Sequence, residues 1–168
     1  MMNRRYTREI YLDRVRKLRA AVPDIGISTD LIVAFPGETE TEFEDTLALS
    51  NEVRWDSAFT FIYSPRVGTK AATLPGQIDP DVASRRIEKL IHQQDQITSE
   101  IFNSLIGTKV NVLVSGNARR DETELTGKSE RNISVNFRGT KDLIGTIVPV
   151  QITAASKTTL RGEIVKGE

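Results

Sequence analysis

The segment from Thr29 to Thr39 holds the residues whose types and spacing best suit chemistry. Its apolar middle predicts a strand buried on both faces, and Pro36-Gly37 predicts the turn that ends this strand. Such a strand delivers Asp30 and then places Glu38 and a helix amino terminus at its carboxyl end, where a polar cofactor can bind. The alternative is that the segment forms only a turn and a helix cap.

Cysteine chemistry is excluded within the chain, because its 168 residues include no cysteine. Disulfides, thiolate zinc sites and thiolate-held iron–sulfur clusters all need that residue. The single histidine, His92, lies among polar residues of a predicted helix, so we expect it to be exposed and expect no protein-bound metal. Lys and Arg together number 23, as do Asp and Glu, so any nucleic-acid surface must be local.

The apolar runs are short. The longest, Leu31 to Phe35 and Ala58 to Tyr63, fall far below the roughly 20 residues of a membrane helix. The start of the chain, Met1 to Tyr6, lacks the apolar region and cleavage site of a secretion signal. We therefore expect no membrane partner and a cytoplasmic location.

The apolar pattern of the first half of the chain predicts helices that alternate with strands. One helix has an apolar face and ends at Pro23; the face comprises Tyr11, Val15, Leu18 and Val22. A strand follows over Ile25 to Phe35, and Thr39 with Glu42 has the pattern of a capping box at the start of a second helix. This order predicts a parallel α/β unit.

A second buried strand is predicted over Ser57 to Tyr63, after a packed Trp55. Two strands cannot bury the faces of their own helices, so this half is expected to be the end of a larger barrel. The unpaired strand edge of such a fragment could mediate self-association.

A loop over Ser64 to Gln77 separates this half from a long helix, which Asp79-Pro80 begins and which ends near Gly107. The helix has a continuous apolar stripe formed by Ala83, Ile87, Leu90, Ile97, Ile101 and Leu105. The pair Arg85-Arg86 is interpreted as a solvated face of this helix, with nucleic-acid contact as the alternative.

Beyond Gly107 the apolar period changes from about 3.6 to 2. Alternating runs are centred on Val112, Val135 and Val150, with a further strand from Leu160 to Val165. Four or five short antiparallel strands predict a small closed barrel. The predicted fold class is α/β followed by all-β, divided at 1–78, 79–106 and 107–168.

Several segments carry a family resemblance. Thr29 to Thr39 resembles a radical S-adenosylmethionine (SAM) signature, with Ala34 where the family usually has glycine. Asp56 to Thr69 resembles a second family segment at the expected distance. Further matches are Asn3 to Glu9, Leu125 to Lys128 and Val135 to Phe137. Together they resemble the carboxy-terminal part of the tRNA methylthiotransferases that make 2-methylthio-isopentenyladenosine.

The resemblance implies the end of a partial TIM-like barrel that binds SAM. The complete enzymes also hold two four-iron clusters on cysteines, which would belong to an amino-terminal part absent from this chain. Thr29, Asp30, Glu38, Tyr63 and Arg66 would line the SAM or substrate side of the cavity. The clusters supply the electron that cleaves SAM, so no catalytic residue is expected here and this chain alone is expected to have no turnover.

The second half resembles the TRAM domain, a small OB-like barrel that binds RNA in several tRNA-modifying enzymes. The candidate RNA-binding cations are Lys109, Arg119, Arg120, Lys128, Arg131, Arg138, Lys141 and Arg161. Charge alone favours a solvated surface, because acids are interspersed, whereas the resemblance favours tRNA contact. Phe137 could stack on a base, but its place in an alternating strand favours core packing.

The sequence alone leaves other functions open. The chain could be a free-standing RNA-binding module that keeps part of a barrel as a folding platform. Within the enzyme class, the related methylthiotransferases for threonylcarbamoyladenosine or for a ribosomal protein aspartate are the alternatives. SAM binding would favour the enzyme fragment, and tRNA binding without SAM affinity would favour the module.

Overall fold

The computed structural model describes residues 4–119 and 121–165, without the side chain of Glu122. The chain divides into two compact units. The first comprises Met1–Pro23 with Ile27–Ile97, and the second comprises Asp24–Gly26 with Thr98–Glu168. The predicted order, α/β followed by all-β, is confirmed.

The first unit alternates helices and strands as predicted. Its elements are α1 (Arg8–Ala21), β1 (Ser28–Val33), α2 (Glu40–Val53), β2 (Ser57–Ile62) and the start of α3 (Pro80–Ser104), with a short 3-10 helix at Lys70–Thr73. β1 and β2 pair in parallel, from Ser28 beside Ser57 to Val33 beside Ile62. Among the described residues, no helix is both long and apolar enough to cross a membrane.

Local sequence determines where the helices begin. The Thr39 hydroxyl accepts a hydrogen bond from the Glu42 amide at 3.2 Å, and the Glu42 carboxylate accepts one from the Thr39 amide at 2.8 Å. This reciprocal pair confirms the predicted capping box of α2. Asp79 accepts a hydrogen bond from the Asp81 amide at 2.8 Å, which confirms it as the cap of α3.

The helices cover only one face of the two-stranded sheet. Val33 packs with Phe43, Leu47 and Leu90 on that face. Asp30, Ile32, Phe59 and Phe61 lie on the opposite face, where Phe59 is 64% exposed and Phe61 is 50% exposed. The prediction of burial on both faces is therefore wrong for the described residues, because the helices that follow these strands all pack on the same side.

α1 packs through only part of its predicted apolar face. Val15 is buried with Val53 and Trp55, whereas Leu18 and Val22 are exposed. The Trp55 indole donates a hydrogen bond to the Tyr11 hydroxyl at 2.8 Å, and the ring is 1% exposed. The predicted packing of Trp55 is thus confirmed.

The second unit is a closed five-stranded barrel, as predicted. Its strands are β3 (Lys109–Ala118), β4 (Asp121–Ser129), β5 (Ser134–Arg138), β6 (Ile147–Ala155) and β7 (Thr159–Ile164). They close in the order β3-β4-β5-β7-β6. Every pairing is antiparallel except that of β5 with β7, which is parallel. The prediction that all strands are antiparallel is therefore wrong for this one pair.

Inward side chains of alternate strand positions fill the barrel. Val135, Val150 and Leu160 are fully buried, and Phe102 from the last turn of α3 joins their cluster. Phe137 is 1% exposed in the same cluster, which confirms core packing over base stacking. Gly162 permits a close strand approach, because a Cβ there would collide with the Gln151 carbonyl and the Val150 side chain.

Candidate cofactor pocket and nucleic-acid interface

The turn after β1 is held in an unusual backbone conformation. Ala34 has a φ of 61°, a left-handed conformation that costs a residue with a Cβ about 1–2 kcal/mol. Its amide donates a hydrogen bond to Oε2 of Glu38 at 2.7 Å. The Glu38 side chain therefore stabilises the turn at the position where a glycine would carry no such cost.

Arg86 of α3 reaches the same carboxylate. Its Nη1 lies 2.8 Å from Glu38 Oε2 and also donates to the Glu38 carbonyl at 3.1 Å, while Nη2 lies 3.0 Å from Glu40 Oε2. The guanidinium also stacks over the Phe43 ring at 5.4 Å. The interpretation of Arg85-Arg86 as a solvated pair is thus wrong for Arg86, which is buried, whereas Arg85 is exposed.

This network determines what Glu38 can do. The side chain is 11% exposed, and its Oε2 already binds the Ala34 amide and the Arg86 guanidinium. Oε2 of Glu38 thus holds the turn at the end of β1. A sequence signal for Arg86 did exist, because position 86 continues the helical spacing of Ala83 and Leu90.

Tyr63 lies at the carboxyl end of β2, close to this turn. Its amide donates to the Val33 carbonyl at 2.9 Å, and its ring makes an edge contact with Phe35 at 5.1 Å between centroids. The Tyr63 hydroxyl is buried and has no hydrogen-bond partner among the described residues. An unsatisfied buried hydroxyl costs about 1–3 kcal/mol, so this atom indicates a place for a polar ligand group or water.

The remaining predicted pocket residues are not brought together. Asp30 is exposed on the open face of β1, beside Phe59 of β2. Thr29 is half-buried on the opposite, helix-covered side, so the two neighbours do not face one cavity. Arg66 is exposed in the following loop, where Thr69 closes a turn onto the Arg66 carbonyl.

The open face of β1 and β2 was not predicted. Ile32 lies beside Phe61, and Asp30 beside Phe59, so the face combines one carboxylate with apolar and aromatic groups. Such a surface can contact a flat ring and one polar group of a ligand. Among the described residues, no cluster of three or more His, Cys, Asp or Glu side chains could hold a metal ion.

The predicted RNA-binding cations are spread over the barrel. Lys109, Arg119, Lys128, Arg138, Lys141 and Arg161 are exposed, Arg131 is half-buried, and Arg120 lies outside the described residues. Lys141 begins a short 3-10 helix, Lys141–Leu143, between β5 and β6. Arg161 forms an ion pair with Glu124 at 3.2 Å, so part of its charge is neutralised.

The strand register places polar side chains in rows on the outer face of β4, β5 and β7. Lys128, Ser134 and Thr159 form one row, and the Lys128 ammonium donates to the Ser134 hydroxyl at 3.0 Å. The next row contains Thr126, Asn136 and Arg161. Cationic, hydroxyl and amide groups in this arrangement can bind the phosphates and sugars of a nucleic acid.

Comparisons with known proteins agree with the family resemblance predicted from the sequence, in both halves of the chain. Residues 103–165 match the model of the TRAM domain family. The chain is 48% identical, over 98% of its length, to the tRNA-2-methylthio-N(6)-dimethylallyladenosine synthase of Clostridium novyi (strain NT), of which it covers 36%. It is 46% identical, over 99% of its length, to the synthase of the same name from Moorella thermoacetica, of which it covers 38%.

The chain thus spans little more than a third of the length of these curated relatives. The matches confirm the resemblance inferred from the residues, from the segment around Thr29 to that around Val135. Nearly the whole chain is thus similar to the carboxy-terminal part of the tRNA-2-methylthio-N(6)-dimethylallyladenosine synthases, and its residues 103–165 match the TRAM domain.

Proposed function

We propose that this chain supplies the carboxy-terminal portion of a tRNA methylthiotransferase that adds a 2-methylthio group to isopentenyladenosine near the anticodon. The observation that carries the proposal is the 48% identity over 98% of the chain to a synthase with that reaction in its name. The α/β half would form one wall of the SAM and substrate cavity, and the barrel half would hold the tRNA.

The open sheet face supports the cavity wall. Phe59 and Phe61 expose aromatic rings on a two-stranded parallel sheet, although parallel sheets are normally covered on both faces. In a TIM-like barrel, helices cover the outer side of the strands while the inner side faces the lumen. The remaining, amino-terminal part of the enzyme would supply the other strands of the partial barrel, and the edges of β1 and β2 would pair with them rather than with a second copy.

The residues at the carboxyl ends of β1 and β2 fit a nucleoside cofactor. The buried Tyr63 hydroxyl lacks a partner among the described residues, and the aromatic rings of the open face offer a stacking surface. SAM, when bound, would supply the radical chemistry and the methyl group. This chain's residues would bind and orient it, with Glu38 acting through the turn and Asp30 from the open face.

Iron–sulfur clusters do not fit the residues of this chain. It has no cysteine, and the described residues offer no alternative group of metal ligands. Their ligands would therefore lie in the remaining part of the enzyme, and no step of the reaction is assigned to residues here. The same proposal includes a cytoplasmic location for the protein and tRNA as its partner.

A chimaera tests the proposal directly. The carboxy-terminal 36% of the Clostridium novyi synthase would be replaced by this chain, and tRNA from cells that lack their own synthase would be digested and analysed by mass spectrometry. We expect 2-methylthio-isopentenyladenosine in cells with the chimaera. A chimaera with Asp30→Ala and Phe59→Asp, which alters the open face, is expected to be soluble but to give much less product.

The alternative, a free-standing RNA-binding module, is favoured by one observation, the separate closed core of the second unit. A soluble chimaera without product, combined with tRNA binding and no SAM binding by the chain in calorimetry, would establish the module. Product on threonylcarbamoyladenosine or on a ribosomal protein aspartate would instead establish one of the related methylthiotransferases.

A further inference from the structure

The barrel topology sorts the cations of the second unit between two ends. β3, β5 and β7 begin at one end, where β4 and β6 finish, because β5 and β7 are parallel and every other pairing is antiparallel. This end, named here the basic end, carries Lys109 at the start of β3, Lys128 near the end of β4, Arg131 in the β4–β5 loop and Lys157 in the β6–β7 turn.

A shared groove and one hydrogen bond connect Lys109, Lys128 and Arg131. Lys109, Ser129, Glu130 and Arg131 line one groove of about 200 Å³. Lys128 donates to the Asn132 carbonyl at 3.3 Å, within the same loop as Arg131.

Lys157 joins this group through the strand register. Ser134, which accepts a hydrogen bond from Lys128, pairs with Thr159 at the start of β7. The Ser156 amide donates to the Thr159 carbonyl at 2.9 Å, which makes Lys157 and Thr158 the tip of a tight turn. Lys157 is exposed there. The predicted RNA-binding set did not include it, because one lysine in a short polar turn gives no signal in sequence.

The opposite, mixed end has a different charge balance. Its described cations Arg119, Arg138 and Lys141 lie among Asp121, Glu124 and Asp142. Hydrogen bonds from Thr123 hold the pKa of Asp121 below its ordinary value of 3.8, with smaller contributions from the charges of Arg138 and Arg161. These acids repel phosphate. At the basic end, the groove contains the acids Asp24 and Glu130, and Glu130 already accepts a hydrogen bond from Asn111 at 2.7 Å.

We propose that the basic end, through Lys109, Lys128, Arg131 and Lys157, is where the barrel binds the phosphate backbone of RNA. The inference rests on the proposed function and deepens it by assigning the contact to one end of the barrel. The hydroxyls of Ser134 and Thr159 and the amide of Asn136 extend this surface along β5 and β7 and can bind sugars or base edges. The RNA then meets four cations and two acids, Asp24 and Glu130, whereas the described part of the mixed end offers three cations among three acids.

Salt-dependent binding of tRNA by the intact chain tests the assignment. The double variant Lys128→Gln/Lys157→Gln removes two phosphate-binding charges, so we expect about a tenfold or greater loss of affinity and a log–log salt slope smaller by about two. A comparison variant at the mixed end, Arg138→Gln/Lys141→Gln, is expected to lose much less affinity. Lys17→Gln/Lys70→Gln in the first unit serves as a charge-matched control.

Thermal melts would verify that each variant is folded. Because Lys128 also bonds within its loop, the single variant Lys157→Glu at the turn tip keeps the test valid if the double variant unfolds. If the wild-type chain binds no tRNA, the RNA-binding part of the proposed function fails. If the wild type binds but the mixed-end variant loses as much affinity as the basic-end variant, or neither loses any, the assignment to the basic end is wrong.

Discussion

The guanidinium of Arg86 and the carboxylate of Glu38 form a buried ion pair, with 2.8 Å between Nη1 and Oε2 and only 8% and 11% of the side chains exposed. The pair joins α3 to the turn that follows β1. The same carboxylate oxygen accepts a hydrogen bond from the amide of Ala34, a residue in the left-handed conformation. The turn beside the proposed cofactor pocket thus depends on a residue 48 positions away in the chain.

Arg86→Ala should strongly destabilise the first unit. Removing one partner of a buried ion pair leaves the other charge unpaired and typically costs about 3–5 kcal/mol. Urea denaturation followed by the fluorescence of Trp55, the single and buried tryptophan, would measure this loss. The exposed neighbour provides the control, since Arg85→Ala should change the free energy of unfolding by no more than about 0.5 kcal/mol. Equal effects at the two positions would contradict the assignment.

The capping box should make stability depend on pH. The backbone and side-chain hydrogen bonds from Thr39 hold the pKa of Glu42 below its ordinary value of 4.5 in the folded chain. Glu42 therefore binds its proton at a higher pH in the unfolded chain than in the folded chain. The contribution of its carboxylate to the free energy of unfolding is fully present above about pH 4.5 and disappears as pH falls through the folded-state pKa.

Glu42→Gln tests this dependence, because glutamine keeps the acceptor and removes the charge. Urea midpoints of the wild type and the variant, measured from pH 7 to pH 3, should differ at neutral pH and converge below about pH 4.5. A difference that stays constant over this range would show that the charge of Glu42 does not stabilise the helix start.

The two faces of the sheet should respond differently to truncation. Leu90→Ala removes a fully buried side chain packed with Val33 and should cost about 2–5 kcal/mol. Phe61→Ala removes a larger side chain that is 50% exposed, and should cost less than Leu90→Ala in this chain. The same denaturation assay compares them. A larger loss for Phe61→Ala would mean that the open face is covered in solution, and sedimentation velocity would then identify self-association.

Much of the fold followed from local sequence. The capping box at Thr39 and Glu42 and the cap at Asp79 depend on residues within three positions of each other, so a short pattern determines them. The alternation around Val135 reflects one inward face of a barrel, which made the closed β-domain predictable. The relationship to the synthase family also followed, because the segment from Thr29 to Thr39 is continuous in sequence.

Tertiary structure alone decided which side chains meet. The sequence shows that Phe59 and Phe61 are apolar, but their exposure depends on the side of the sheet on which α2 and α3 pack. The direction in which the chain crosses over between the strands determines that side. The helical spacing of Ala83 and Leu90 places Arg86 on the buried face of α3, but only the folded chain brings it to Glu38, 48 positions away. Lys157 lies at the same end of the barrel as Lys128 because β5 and β7 pair in parallel, and this pairing joins residues far apart in sequence and leaves no local pattern.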